Sequence, residues 1–174
     1  MNIESFFSFS YGIYLVTSQH NDKKVAYIAN TAFQVTAEPA QFAISCSKKN
    51  ISTEVIIESG IFAISVLDNT ADMRFVGKFG YKSGATSDKF AGTNTITAVT
   101  GAPIITDKAV AYLDCRVTQT IDVGTHFIII GEVADAQVLN KDAEPLTYDY
   151  YRKVVKGLSP KNAPTYVDIK SLNK

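Results

Sequence analysis

Short runs in which apolar and polar residues alternate, separated by Gly, Pro, Asn and Asp, dominate the chain. Eight of these runs are rich in Val, Ile, Thr, Tyr and Phe and read as strands: 11–17, 24–30, 31–36, 41–46, 62–67, 94–99, 110–120 and 125–138. Two segments switch to helical spacing. Residues 50–59 place Ile51, Val55 and Ile56 on one face, start at a capping Asn50 and stop at Gly60, and residues 70–79 run from a capping Thr70 to Gly80. So many strands with only two short helices predict a mainly β barrel or sandwich. In the last strand Phe127, Ile128, Ile129 and Ile130 form an unbroken apolar run, the pattern of a strand buried on both faces. Gly131 then interrupts it, which predicts a bulge or the close approach of a ligand or another backbone. The tail after Leu139 reads as an extension packed on the barrel rather than a second domain.

A length of 174 residues fits one domain burying roughly 70% of its unfolded surface. Seventeen basic and seventeen acidic side chains cancel, so the total charge gives no argument for a nucleic-acid or anionic-membrane partner, and any anion site must be local. Cys46 and Cys115 lie far apart in apolar strand patterns with no C-x-x-C pair, as expected of buried, reduced thiols without a disulfide or a metal. The N-terminal stretch has no basic region followed by a small-residue cleavage site, and no apolar run reaches the length of a membrane span. A cytoplasmic protein is expected.

Two histidines are present. His20 reads as a loop residue, whereas His126 follows a polar turn at the mouth of the apolar run, placed either to meet a ligand or to bond a backbone carbonyl. Four further segments can carry chemistry. Ser45-Cys46-Ser47-Lys48-Lys49-Asn50-Ile51-Ser52-Thr53 ends a strand in hydroxyls and two lysines just before a helix start, which is either a phosphate cradle or an N-cap with solvated lysines. Ala29-Asn30-Thr31-Ala32 offers backbone and amide hydrogen bonds to a planar heterocycle, or is a simple hairpin turn. The loop from Phe79 to Phe90 holds Gly80 and Gly84, and its Lys89 either reaches an anion or faces solvent. In the stretch from Lys156 to Tyr166, residues before proline are driven to extended geometry, giving a stiff strap that presses Tyr166 against a ligand or against the core.

The stretches YGIYLVTS, ANTAFQVTAEP, SKKNISTEVIIESGIFAISVL, FGYKSGATSDKF, LDCRVTQTIDVGTHFIIIGEVADA and KGLSPKNAPTY together resemble the flavin reductase-like group of FMN-binding split barrels. That group includes flavoredoxins and the flavin domains of rubredoxin-linked oxidoreductases. The resemblance spans nearly the whole chain, and the joint occurrence of SG-x4-DKF, GTH-x4-GEV and APTY carries its specificity. It implies a six-stranded, largely antiparallel split barrel that dimerises and binds one FMN per subunit near the dimer interface. On it, Asn30, Thr31 and Ala32, with Ala29 beside them, would line the flavin ring. Ser47, Lys48, Asn50, Ser52 and Thr53, with Ser45 and Cys46, would hold the ribityl phosphate end, and Lys89 would add positive charge. His126 and Tyr166 would close the site near the ring, and a hydrogen bond or partial positive charge that stabilises the reduced flavin would come from backbone amides around Asn30 or from His126, the catalytic candidate among the side chains. Relatives commonly have Gly-Asp-His where Gly124-Thr125-His126 stands, and often Tyr-Thr-His where Ile51-Ser52-Thr53 stands.

The activity implied is that of an NAD(P)H-dependent flavin reductase, with NADH or NADPH as hydride donor and a redox protein or monooxygenase as acceptor. No G-x-G-x-x-G element is present for the donor, which would have to lie over the flavin in an open cleft. The alternatives are a non-enzymatic electron carrier that keeps its FMN, and a barrel that binds another phosphorylated cofactor such as pyridoxal phosphate.

Overall fold

The computed structural model describes residues 2–81 and 88–166. Its main sheet contains β1 (Tyr14–His20), β2 (Lys23–Ala29), β3 (Ala32–Ala37), β4 (Ala40–Ser47), β5 (Ile61–Leu67), β8 (Ala109–Asp122) and β9 (His126–Val138). These seven strands run in the order β2-β1-β5-β8-β9-β4-β3, every neighbouring pair antiparallel. The strands β2 and β3 are therefore the two edges of the sheet, yet only Asn30 and Thr31 separate them in the chain. In a flat sheet those edges would stand about 29 Å apart, whereas two linking residues span about 10 Å. The sheet must roll until its edges meet, which makes it a split barrel with Asn30-Thr31 at the seam.

This geometry corrects the reading of Ala29-Asn30-Thr31-Ala32 as a hairpin turn. β2 does not pair with β3, and the Thr31 carbonyl instead accepts from the Ser45 amide of β4 at 3.1 Å. In this part of the chain the hairpins join β1 to β2 and β3 to β4. His20, expected in a loop, is the last residue of β1 and faces Lys23 across the first of these turns. The sheet has one strand more than the six expected, because the β3–β4 hairpin adds an edge strand whose residues after Ala32 are all exposed. Of the strand expected at 94–99 only β6 (Thr95–Thr97) forms, and it pairs with β7 (Pro103–Ile105) in a separate ribbon. Buried hydroxyls fix that ribbon to the barrel, Ser65 donating to the Ile105 carbonyl at 2.8 Å and Thr17 to that of Pro103.

Burial on both faces of β1 follows from two cores. Val16, Tyr27, Ile44, Cys46, Ile56, Phe62, Ile64, Cys115 and Ile129 fill one, while Leu15, Ala26, Leu67, Val76, Phe79, Leu146, Tyr148 and Tyr151 form the other. Helix α1 (Ile51–Ser59) contributes Ile56 to the first core. Its ends are those expected from sequence: the Asn50 side chain accepts from the Ser52 amide, and Gly60 sits at φ 68° with its amide bonded to the Ile56 carbonyl. Helix α2 (Met73–Gly80) starts later than expected because Asp72, not Thr70, caps it; Thr70 is held by Asp68 instead. A third helix, α3 (Tyr148–Lys153), packs Tyr148 and Tyr151 into the second core.

The irregularity expected at Gly131 takes a different form. An extra residue in β8, between Val117 and Gln119, forms the bulge, and Gly131 opposite it is needed because the Phe62 ring packs where a Cβ would stand. Phe127, Ile128 and Ile130 are only half-buried and Ile129 alone is fully enclosed, so this strand has one outward face rather than two buried ones.

Candidate functional site

At the seam of the barrel, where β2 ends, β4 ends and α1 begins, lies a cleft of about 300 Å³. Its walls include Ala29, Asn30, Ser45, Ser47, Asn50 and Lys89 from the expected set. Period-two alternation along β4 explains which of its residues arrive there: Ser45 and Ser47 line the cleft, and Lys49 continues the same alternation beyond the strand. Cys46, between them, turns into the barrel, where it is fully buried with its Sγ 2.7 Å from the Tyr27 hydroxyl. Burial pushes its thiol up to about 12, so it stays protonated and inert as a nucleophile.

Lys48 is likewise drawn away from the cleft. Its ammonium lies 2.6 Å from the Asp122 carboxylate and 4.9 Å from the centre of the Phe127 ring, clasping the tip of the β8–β9 hairpin. The exposed Lys49, absent from the expected set, lines the cleft in its place. Ser52 and Thr53 are buried inside the first turn of α1; the Thr53 hydroxyl donates to the Ser47 carbonyl at 2.7 Å and fixes the strand-to-helix corner. Ser47 Oγ accepts from the Lys49 amide at 3.3 Å, which leaves its own hydrogen to be donated. The cleft thus has one end built of hydroxyls, a lysine and the positive end of a nine-residue helix.

Lys89 enters from the opposite wall. Asp88 accepts from the Phe90 and Ala91 amides at 2.9 and 3.2 Å, and the turn so made sends Lys89 inward. Its ammonium donates to the carbonyls of Ala26 at 2.8 Å and Phe79 at 2.7 Å, tying β2 to the end of α2. Burial lowers its pKa from 10.5 to about 8. Of the loop read as Phe79 to Phe90, Lys82, Ser83, Gly84, Ala85, Thr86 and Ser87 lie outside the described residues.

Thr31 and Ala32 are on the other side of the seam, lining a second hollow of about 480 Å³ with Tyr11, Tyr14, Phe33 and Thr147. Asn30 is 6% exposed, and its amide donates to Thr165 Oγ1 of the C-terminal strap. The strap runs over the cleft and contributes Pro160, Asn162, Ala163 and Pro164 to its walls, while Tyr166 is 38% exposed at its far end. His126 is half-buried, with Nε2 3.1 Å from the Asn162 carbonyl and Nδ1 2.8 Å from the Thr125 hydroxyl. Tyr27, Ile28, Ile51, Phe79, Gly80 and Tyr81 complete the cleft and were not among the expected site residues; they come from three stretches of chain joined only by the fold.

The donor set suits a phosphorylated planar ligand: cations, hydroxyls and a helix start at one end, with apolar and aromatic walls beside them. A family model described as "Flavin reductase like domain" matches residues 6–158. A ferric-chelate reductase (NAD(P)H) of Archaeoglobus fulgidus is 43% identical over 170 residues, 98% of this chain and 100% of that protein. A high molecular weight rubredoxin of Moorella thermoacetica is 42% identical over 166 residues, 95% of this chain and 72% of that protein. Among solved structures, an NADH:FAD oxidoreductase of Streptomyces globisporus superimposes with a TM-score of 0.75 at 25% identity, over 82% of this chain and 83% of that one.

Proposed function

The chain belongs to the flavin reductase-like family, and on that footing we propose that it is an NAD(P)H-dependent flavin reductase that holds FMN in the cleft at the barrel seam. The observation that carries this reading is the meeting of Ser47, Lys49, Asn50 and the start of α1 with Asn30 and Lys89 around one cavity. Bound there, the flavin would accept a hydride from a reduced nicotinamide and pass electrons to an acceptor.

The protein's part is to bind and tune. Ser47, Lys49 and the α1 start would hold the phosphate by charge and hydrogen bonds, and the side chains along Ala29 and Asn30 would border the ring. The Lys89 ammonium fixes a positive charge in the wall and so favours whichever state of the ligand is more negative. Pro160 and Pro164 bring the strap against the cavity and form part of its wall. No titratable nucleophile is required, in keeping with a buried, protonated Cys46.

The chemistry of the relatives extends the proposal to acceptors. A ferric chelate is reduced by the Archaeoglobus protein according to its name, and the Moorella protein is named a rubredoxin; a small redox protein or a ferric chelate is the acceptor class this reading names. A cytoplasmic, dimeric protein completes it; among the described residues no helix is long and apolar enough to cross a membrane. The test is to mix protein, FMN and NADH or NADPH with and without a ferric chelate. Acceptor-dependent oxidation of the nicotinamide supports a reductase, and retention of FMN without such oxidation identifies an electron carrier.

A further inference from the structure

The strap from Gly157 to Tyr166 has neither helix nor strand, yet side chains from four separate elements hold it. Tyr81, at the end of α2, donates to the Leu158 carbonyl. Tyr148 of α3 bonds the Ser159 hydroxyl, and Asn30 at the seam donates to Thr165. The fourth contact is that of His126, at the start of β9, with the Asn162 carbonyl. The strap's base is anchored by the Gly157 amide, bonded to the Tyr151 carbonyl at 2.9 Å, and a Cβ on Gly157 would stand 2.0 Å from the Tyr151 ring.

The chemistry of the His126 contact is constrained. A carbonyl oxygen only accepts, so Nε2 must carry a hydrogen, and in the neutral imidazole Nδ1 then accepts from the Thr125 hydroxyl. Both ring nitrogens are thus engaged outside the cavity, and neither is free to address a flavin. What the imidazole holds is the middle of the strap: Asn162 lies between Pro160 and Pro164, and all three line the cleft. Between those prolines the backbone is stiff, so losing the one contact at its middle loosens the roof between its remaining ties at Leu158, Ser159 and Thr165.

We propose that His126 is a positioning residue, a latch that keeps the strap closed over the cleft and thereby sets how fast FMN leaves. This rests on the flavin reading above and deepens it: the latch decides whether the flavin behaves as a resident cofactor or as a diffusible substrate. The Asn30 bond to Thr165 closes the same strap three residues further on.

The latch is tested with His126→Ala and with His126→Gln, whose amide can donate to the same carbonyl. In the apo-protein, amide hydrogen exchange across 158–166 is expected to speed up about tenfold in His126→Ala, with the barrel strands unchanged, and to return toward wild type in His126→Gln. Stopped-flow release of FMN is expected to follow the same order, while the rate at which NADH reduces already bound flavin stays within about twofold. Unchanged strap exchange and FMN release in His126→Ala overturn the latch. So does slowed reduction with unchanged release, because the imidazole would then act on the flavin itself. If the wild-type protein takes up no FMN at all, the flavin reading fails and the latch fails with it, a result distinct from both of these.

Discussion

The Lys89 ammonium donates to the Ala26 carbonyl at 2.8 Å and so fastens the turn after α2 to the strand that leads into Asn30. A second bond, to Phe79, closes the end of α2. The same side chain therefore braces the cleft and charges its wall, and these two roles respond to pH in opposite directions. Held down to about 8 from 10.5, Lys89 binds fewer protons in the folded than in the unfolded state across that window, so its contribution to apo stability rises with pH there. Affinity for an anionic ligand falls as pH climbs through about 8, because the charge is lost. Denaturation and FMN titrations between these limits, each compared with Lys89→Met, are expected to show the two opposed slopes in wild type and neither in the variant.

On the proposed reading Ser47 and Lys49 act through the phosphate of the ligand. Ser47→Ala and Lys49→Ala are each expected to weaken FMN by about 1.5–3 kcal/mol while leaving riboflavin nearly unaffected. Equal losses for both flavins would place these residues elsewhere in the site. Lys48→Ala, by contrast, removes an exposed ion pair with Asp122 and a contact with the Phe127 ring, both away from the cleft, and is expected to change FMN affinity little.

Gly131→Ala is expected to destabilise the barrel by about 1–3 kcal/mol, since the added methyl would stand 2.6 Å from the Phe62 ring in a packed core. Urea denaturation measures this, with FMN affinity per folded molecule unchanged because the contact lies away from the cleft.

Asn50→Ala removes the side chain that accepts from the Ser52 amide at the start of α1. A loss of about 0.5–2 kcal/mol in stability is expected, together with weaker FMN binding, because the same helix start forms the cationic end of the cleft. Asn50→Asp should restore the cap yet still bind FMN poorly, since it sets a negative charge beside the phosphate.

The limits of what the sequence discloses follow from these residues. Helix α1 was legible because both of its ends are local signals, Asn50 and Gly60, within ten residues of each other. The split barrel, and Ser47, Asn50 and Lys89 at one cleft, were legible through motifs that recur in the family. The seam was not: Asn30 carries the composition of a turn, and only the order of the strands shows that it joins opposite edges of the sheet. β7 is three residues with a proline among them, too short for a periodic signal, and α3 is masked by three tyrosines that favour strands. Its Thr147 cap, first-turn Asp149 and last-turn Arg152 and Lys153 were the signal available. The choice between Lys48 and Lys49 turned on strand alternation, which would have assigned Lys49 to the face of Ser45 and Ser47 had it been carried past the strand end. The partners of His126 and Asn30 lie 36 and 135 residues away and have no local signature.

The most direct test of the account is the anaerobic visible spectrum of the purified chain equilibrated with one equivalent of FMN, before and after adding NADH or NADPH. The account predicts a flavin band shifted from that of free FMN at a stoichiometry of one per chain, bleached by the nicotinamide. A band identical to that of free FMN and indifferent to both nicotinamides would contradict it.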